Sequence, residues 1–336
     1  MSERTKVAVF GAGSWGTAFS LVLADAGHQV TLWGRRPEVC RTINETRENA
    51  EYFPGIALPD TVWATPDPAE AAWEASYVVL AVPSQKLREN LSEWTPHLPP
   101  DAVFVSLMKG IELGTTKRMS EVIAEVTGAG PERLAVVSGP NLAREIAMRE
   151  PAASVVACAD EAVARRVQAL CHSQAFRPYW SRDVLGCELG GAYKNVIALC
   201  VGMAVGLGFG DNTTASLITR GLAETARLAN RLGADPMTVM GLAGLGDLVA
   251  TCSSPLSRNR TFGERLGQGM TTEEIVASTR QVAEGAKSCA SIYDLAARHG
   301  VDAPVAEHVD RVVRGEISAR EMMYAFIARD TKHEQD

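Results

Sequence analysis

Gly11-Ala-Gly13-Ser-Trp-Gly16 stands between a short apolar run, Val7 to Phe10, and an apolar stretch with helical character, Trp15 to Ala26. A strand, a glycine turn and a helix in that order open a dinucleotide-binding unit. Gly11 allows the tight turn, Gly13 lets the backbone approach a pyrophosphate, and Gly16 lets the helix pack closely on the strand. Free N–H groups at the helix start, with the positive end of its dipole, then hold the phosphates. The context predicts a nucleotide-binding role rather than a structural turn.

A chain of 336 residues is long enough for about two domains, each with its own core. Its formal net charge of −7 argues against a nucleic-acid partner or an anionic membrane. Local clusters of Arg and Lys must therefore hold any anionic ligand. No signal peptide is expected ahead of the first strand, because the N-terminus is short and polar there. The longest apolar run, Val196 to Phe209, spans 14 residues. It is too short to cross a bilayer and reads as a buried helix. The seven cysteines form no C-x-x-C pair and are odd in number, as expected of small buried hydrophobes in a reducing cytoplasm. The six histidines show no metal-ligand spacing, and no metal site is expected.

Up to about residue 181 the pattern alternates strand and helix signals. Val30 to Trp33, Tyr77 to Val82, Ala102 to Leu107 and Leu134 to Val137 read as further strands, with weaker candidates at Ser154 to Ala157 and Phe176 to Trp180. Strands interleaved with helices predict an α/β fold, a Rossmann-type doubly wound parallel sheet, over residues 1–181. Strand ends at Gly11, Pro83 and Lys109 belong on the ligand-binding edge of such a sheet. Beyond this point Leu185 to Leu207, Thr213 to Leu232 and Ser288 to His299 carry helical periodicity. Ser318-Ala-Arg-Glu321 is a capping-box sequence that starts a last helix through about Ala328. Residues 182–336 are thus expected to form an all-helical substrate-binding domain, with a frayed polar tail after Asp330.

The second strand ends in Trp33-Gly34-Arg35-Arg36, with no acid at its tip to hold a ribose diol. Two guanidiniums there suit the 2′-phosphate of NADP, so NADP(H) is the expected preference, with NAD(H) possible. Lys109 follows a buried strand and precedes Gly110, a place that favours a ligand role over an ordinary surface lysine. Lys194 and Asn195 lie inside the apolar, Gly-rich stretch Glu188 to Leu199. A lysine on a buried helix needs a partner or a lowered pKa, and such a lysine can exchange a proton near neutral pH. Three glycines of Gly241-Leu-Ala-Gly-Leu-Gly246 lead into Asp247, which could cap a helix or orient a lysine. Ser257-Arg-Asn-Arg260 concentrates cations and hydrogen-bond donors as an anion clamp requires.

These segments, with Ser138-Gly139-Pro140 and Val282-Ala-Glu284-Gly285, stand in an order and spacing that resembles bacterial-type NAD(P)-dependent glycerol-3-phosphate dehydrogenase. The resemblance runs from Gly11 to about Glu321, nearly the whole chain. It implies interconversion of sn-glycerol 3-phosphate and dihydroxyacetone phosphate, with the reducing direction feeding phospholipid synthesis. By that resemblance Lys194 is the proton acceptor, aided by Lys109 and held by Asp247. Lys109, Gly139, Asn141, Asp247, Ser257, Arg258 and Asn259 are implied substrate contacts, and Asn195 and Thr251 line the same site. Ser14, Trp15, Arg35, Arg36, Lys109, Ala143, Arg258, Val282 and Glu284 are implied cofactor contacts. Asn141 departs from the pattern, since many members carry Ser or Thr there. The resemblance also implies a homodimer. The competing readings are a related two-domain β-hydroxyacid or ketoacid dehydrogenase, which would need a carboxylate clamp, and a non-catalytic NADP-binding sensor.

Overall fold

The computed structural model describes residues 5–278, 284–329 and 333. The chain forms two compact units, one from the residues up to Met108 with Arg118–Val184, the other from Lys109–Lys117 with the residues from Leu185 onward. The junction lies close to the division expected after residue 181. The stretch Lys109–Lys117, expected within the nucleotide-binding part, belongs instead with the helical unit.

Eight strands build the first unit: β1 (Lys6–Phe10), β2 (Gln29–Trp33), β3 (Val62–Thr65), β4 (Tyr77–Leu80), β5 (Val103–Ser106), β6 (Leu134–Ser138), β7 (Ala152–Cys158) and β8 (Phe176–Ser181). They lie in the order β3-β2-β1-β4-β5-β6-β7-β8. From Val7 to Phe10 every residue of β1 is buried, as a strand covered on both faces requires. The strand order reverses at β1 and β4, the crevice where a doubly wound sheet takes its ligand. The Gly11 turn sits at the exit of β1.

Two departures from the expected sheet have local causes. Strand β3 was not anticipated, because four residues between Pro59-Asp60 and Pro66-Asp67 are too few to show a period. Nor is the sheet parallel throughout, since β7 runs antiparallel to β6 and parallel to β8. Only a five-residue helix, Ala143–Ala147, intervenes between β6 and β7, so the chain turns back beside the strand it has just left.

The second unit is helical around Val184–Gly206, a 23-residue helix and so longer than the apolar run singled out in the sequence. By length and composition it could cross a membrane, yet 89% of its most apolar window is buried inside the protein. Val196, Ile197, Leu199 and Val201 pack there with Leu228, Val239, Ile292, Val309 and Met322. Each such side chain contributes about 1.5–3 kcal/mol through burial. Asp211–Leu232 and Glu284–Arg298 form close to the expected places. Asp247–Ser253, Arg258–Gly267, Thr272–Ser278 and Pro304–Val313 are additional helices.

The capping box forms as expected. Ser318 N–H donates to Glu321 Oε2 at 2.7 Å, Glu321 N–H donates to Ser318 Oγ at 3.2 Å, and the helix runs over Ala319–Ile327. The tail expected to fray after Asp330 lies, His333 aside, outside the described residues. All seven cysteines are buried free thiols.

Candidate active site

Asp247 opens the helix Asp247–Ser253 directly after a π-helical turn, Leu242–Gly246. Such turns often mark functional sites. This one lies tight against the central helix, where a methyl group on Gly190 would come within 2.7 Å of the Ala243 carbonyl oxygen. That close approach delivers the Asp247 carboxylate to Lys194, one turn beyond Gly190. Oδ1 of Asp247 accepts from Lys194 Nζ at 2.7 Å, and Oδ2 accepts from Lys109 Nζ at 2.6 Å. Lys194 also donates to Thr251 Oγ1 at 2.8 Å, one turn after Asp247. Of the two roles open to Asp247, the lysine-orienting geometry is the one formed: Gly246 takes the N-cap position and the carboxylate faces the two amines.

Both lysine side chains are 11% exposed and the Asp247 side chain 2%. Two ammonium groups and one carboxylate leave a net positive charge held away from water. Pairing offsets part of the cost of burying these ions, and an oxygen gaining negative charge would offset more. Burial draws the Lys109 amine down to about 8, against the raising influence of Asp247; the Lys194 charge draws it down too, while Glu284 also raises it. Lys194 meets the demand of burial with partners, and it is Lys109 whose proton the surroundings loosen.

Lys109 reaches this place because its segment is sewn into the helical unit. Asn195 Nδ2 donates to the Lys109 carbonyl at 3.2 Å, and Ser291 Oγ donates to the Ile111 carbonyl at 2.9 Å. Arg298 donates to the Gly114 and Thr115 carbonyls and to Thr116 Oγ1. Ile111 is fully buried in the same core.

In the first unit the glycine turn has the shape a dinucleotide needs. Gly11 adopts φ +129°, and a methyl group on Gly16 would lie 1.9 Å from the Gly11 carbonyl oxygen, so the helix Ser14–Asp25 starts in contact with the turn. Gly13 caps that helix without a side-chain hydrogen bond, and a methyl group there would meet nothing within 4 Å. The amides at the helix start, including those of Ser14, Trp15 and Gly16, thus face an open cradle suited to a pyrophosphate. Arg35 and Arg36 are exposed just beyond β2. Arg36 donates to the carboxylate of Glu51. An acid absent from the strand tip in sequence is thereby present beside it in space.

The remaining candidates divide between the units. Gly139, Asn141 and Ala143 follow β6, where Asn141 Nδ2 donates to Ser154 Oγ at 3.1 Å and Ser154 Oγ donates to the Ser138 carbonyl at 2.8 Å. Lys109, Lys194, Asn195, Asp247, Thr251 and Asn259 come together in the helical unit. Ser257 caps the helix Arg258–Gly267 through its hydroxyl, which accepts from Arg260 N–H, and Arg258 is exposed at that helix start. Glu284 opens its helix, and Val282 lies outside the described residues.

Three supporting groups escaped the sequence reading. Asn49 is buried and donates to the Ala12 carbonyl and to Thr17 Oγ1, bracing the glycine turn. Glu51 meets Arg36 from the same loop. Glu224 is buried beneath Tyr193, the neighbour of Lys194, whose hydroxyl donates to it at 2.5 Å. No motif signals the first two. A glutamate on the apolar face of Asp211–Leu232 could have flagged the third.

The sequence matches the family models for the NAD-dependent glycerol-3-phosphate dehydrogenase N-terminus over residues 6–164 and C-terminus over residues 183–324. A glycerol-3-phosphate dehydrogenase (NAD(P)+) of Streptomyces griseus is 62% identical over 335 residues, covering 100% of both chains. One from Corynebacterium diphtheriae is 57% identical, covering 98% of this chain and 100% of the relative. The crystal structure of glycerol-3-phosphate dehydrogenase from Coxiella burnetii superposes with a TM-score of 0.92 at 34% identity, covering 97% of this chain and 99% of that one. On these full-length matches, and on a fold and lysine cluster that fit them, the chain belongs to the NAD-dependent glycerol-3-phosphate dehydrogenase family.

Proposed function

We propose that the chain interconverts sn-glycerol 3-phosphate and dihydroxyacetone phosphate, prefers NADP(H) while accepting NAD(H), and supplies glycerol 3-phosphate to phospholipid synthesis. The observation that carries this reading is the pair of buried lysines on one carboxylate. Such a cluster suits a hydroxyl or ketone oxygen that gains and loses negative charge as it reacts.

A bound nicotinamide supplies the acceptor or donor of hydride at C2. Lys194 exchanges the proton of the C2 oxygen, as the neutral amine in oxidation and as the ammonium in reduction. Its bonds to Asp247 and Thr251 use two of the three ammonium donors and leave one to aim at substrate. Lys109 adds positive charge beside that oxygen, and Asp247 holds both amines in place. Arg258, exposed at the start of a ten-residue helix, grips the substrate phosphate together with the helix N-terminus.

The test is NADPH oxidation with dihydroxyacetone phosphate, run beside a panel of ketoacids. Turnover confined to dihydroxyacetone phosphate is expected. Turnover confined to ketoacids would make the chain a hydroxyacid dehydrogenase, and NADPH binding with no turnover would make it a sensor. Arg258→Ala should raise KM for dihydroxyacetone phosphate steeply and change little for unphosphorylated dihydroxyacetone. Equal losses on both ketones would remove Arg258 from the phosphate site.

A further inference from the structure

A chain of buried amides links the helix Glu284–Arg298 to the backbone of Lys109. Gly285 N–H donates to Asn259 Oδ1 at 2.9 Å, Asn259 Nδ2 donates to Asn195 Oδ1 at 2.9 Å, and Asn195 Nδ2 donates to the Lys109 carbonyl at 3.2 Å. Asn195 is 4% exposed and Asn259 8%. The polarity of the chain is fixed at both ends. A backbone N–H can only donate and a carbonyl can only accept, so each asparagine must accept on one side and donate on the other. A neutral amide is built for that double duty. There is no slack in the packing, since a methyl group on Gly285 would lie 2.7 Å from the Asn195 carbonyl oxygen and 2.9 Å from Asn259 Oδ1.

We propose that Asn195, Asn259 and Gly285 form a positioning relay that sets where Lys109 meets Asp247, and that Asn259 serves the reaction through this relay rather than by gripping the substrate phosphate. The proposal rests on Lys109 acting at the reacting oxygen. Asn259 follows Arg258, the phosphate-gripping residue, yet its side chain turns inward and both its oxygen and its nitrogen are engaged within the protein. Asn195 follows Lys194 along the central helix. The relay therefore fixes the Lys109 backbone from the same helix that presents the second amine.

The decisive variant is Asn259→Asp, which keeps size and shape. An ionised carboxylate accepts from Gly285 but cannot donate to Asn195, and if Asn195 turned over, its oxygen would face the Lys109 carbonyl. A protonated carboxyl group restores one acceptor and one donor, and burial raises its pKa toward the working range. The expected result is a kcat loss of about 10- to 100-fold at about pH 8 that shrinks relative to wild type by about pH 6. Asn259→Leu should show the loss with no recovery. Lys109, Lys194, Arg258, Arg260 and Glu284 adjoin the relay along the chain. They are common to all the proteins, so comparison with wild type at each pH cancels their titration. Dihydroxyacetone and its phosphate should lose by the same factor. A loss confined to the phosphorylated ketone, or an Asn259→Asp profile parallel to wild type, would overturn the relay. Hydrogen exchange at the Gly285 amide in the wild-type protein decides independently of folding of the variants and of turnover. Protection supports the relay even if dihydroxyacetone phosphate proved not to be the substrate, and exchange at the rate of an unprotected amide would end it.

Discussion

Lys109 Nζ lies 2.6 Å from Asp247 Oδ2, an ion pair between residues 138 positions apart. The contact closes within the helical unit because the stretch Lys109–Lys117 leaves the sheet and packs there. The carboxylate that meets Lys109 through one oxygen meets Lys194 through the other. Asp247 therefore governs the charge state of one amine and the aim of both.

Asp247→Asn should lower ketone reduction by about 10²-fold at neutral pH, through lost alignment of Lys194. The pH dependence should move as well. Burial and the Lys194 charge lower the Lys109 pKa, whereas the charge and hydrogen bond of Asp247 raise it. Removing Asp247 takes away a raising influence, so Lys109 loses its proton below about 8 rather than near it. Reduction draws on the ammonium, and its alkaline limb should shift to lower pH in the variant. Rate profiles of both proteins check this, and an unmoved limb would show that Lys109 does not titrate in the reaction.

Lys194→Met keeps the length and apolar bulk of the side chain, so NADPH binding and thermal melting should be nearly unchanged. Loss of the proton-transfer group should cost about 10²–10⁴ in kcat. Oxidation needs the neutral amine and reduction the ammonium, so wild-type rates in the two directions should respond to pH in opposite senses. Turnover of Lys194→Met within about tenfold of wild type would shift the proton transfer to Lys109.

The nucleotide-binding unit was legible because its glycines and apolar strands are local signals. Gly11 and Gly16 meet each other across a single turn, and β1 is apolar without interruption. Strand β3 was illegible because four residues carry no period. Lys194 and Asp247 could be picked out as charges in apolar or Gly-rich surroundings, and the structure shows why those surroundings exist: Gly190 admits the π turn that carries Asp247. What brings Lys109 to them could not be read, since Ser291 and Arg298 hold its segment from about 180 residues away. Asn49, Glu51 and Asn259 act through partners that no spacing rule connects.

Glu224 should prove a stability residue. Its carboxylate accepts from the Tyr193 hydroxyl at 2.5 Å and from Val305 N–H and Ala306 N–H at 2.9 and 3.0 Å, so it satisfies the start of the helix Pro304–Val313 from a neighbouring helix. Glu224→Ala strands these buried donors and should cost about 2–4 kcal/mol in urea unfolding, with Tyr193→Phe costing about 1. Burial raises the Glu224 pKa despite its hydrogen bonds. A carboxyl whose folded pKa exceeds its unfolded value contributes most below the unfolded value and loses that contribution as pH rises through the folded one. The penalty of Glu224→Ala should therefore be greater in acid than at neutral pH. A penalty that grew with pH would contradict this ionisation.

Cofactor choice should answer to Glu51 as well as to the two arginines. Replacing Arg35 and Arg36 with uncharged residues should weaken NADPH far more than NADH, by about 1.5–3 kcal/mol for bonds to a charged phosphate. Glu51 occupies the Arg36 guanidinium, and both side chains are about half exposed. A 2′-phosphate must share that guanidinium with the carboxylate or displace it, and in either case meets negative charge. Glu51→Gln removes the charge and leaves Arg36 to the phosphate. Its NADPH affinity should rise a few-fold, an effect screened by salt as for any exposed pair. NADH brings a ribose hydroxyl rather than a phosphate, so its affinity should hold or fall. Binding titrations of both cofactors at low and high salt separate these outcomes. If Glu51→Gln left the ratio of NADPH to NADH affinity unchanged, the Arg36–Glu51 pair would be a surface contact with no part in choosing the cofactor.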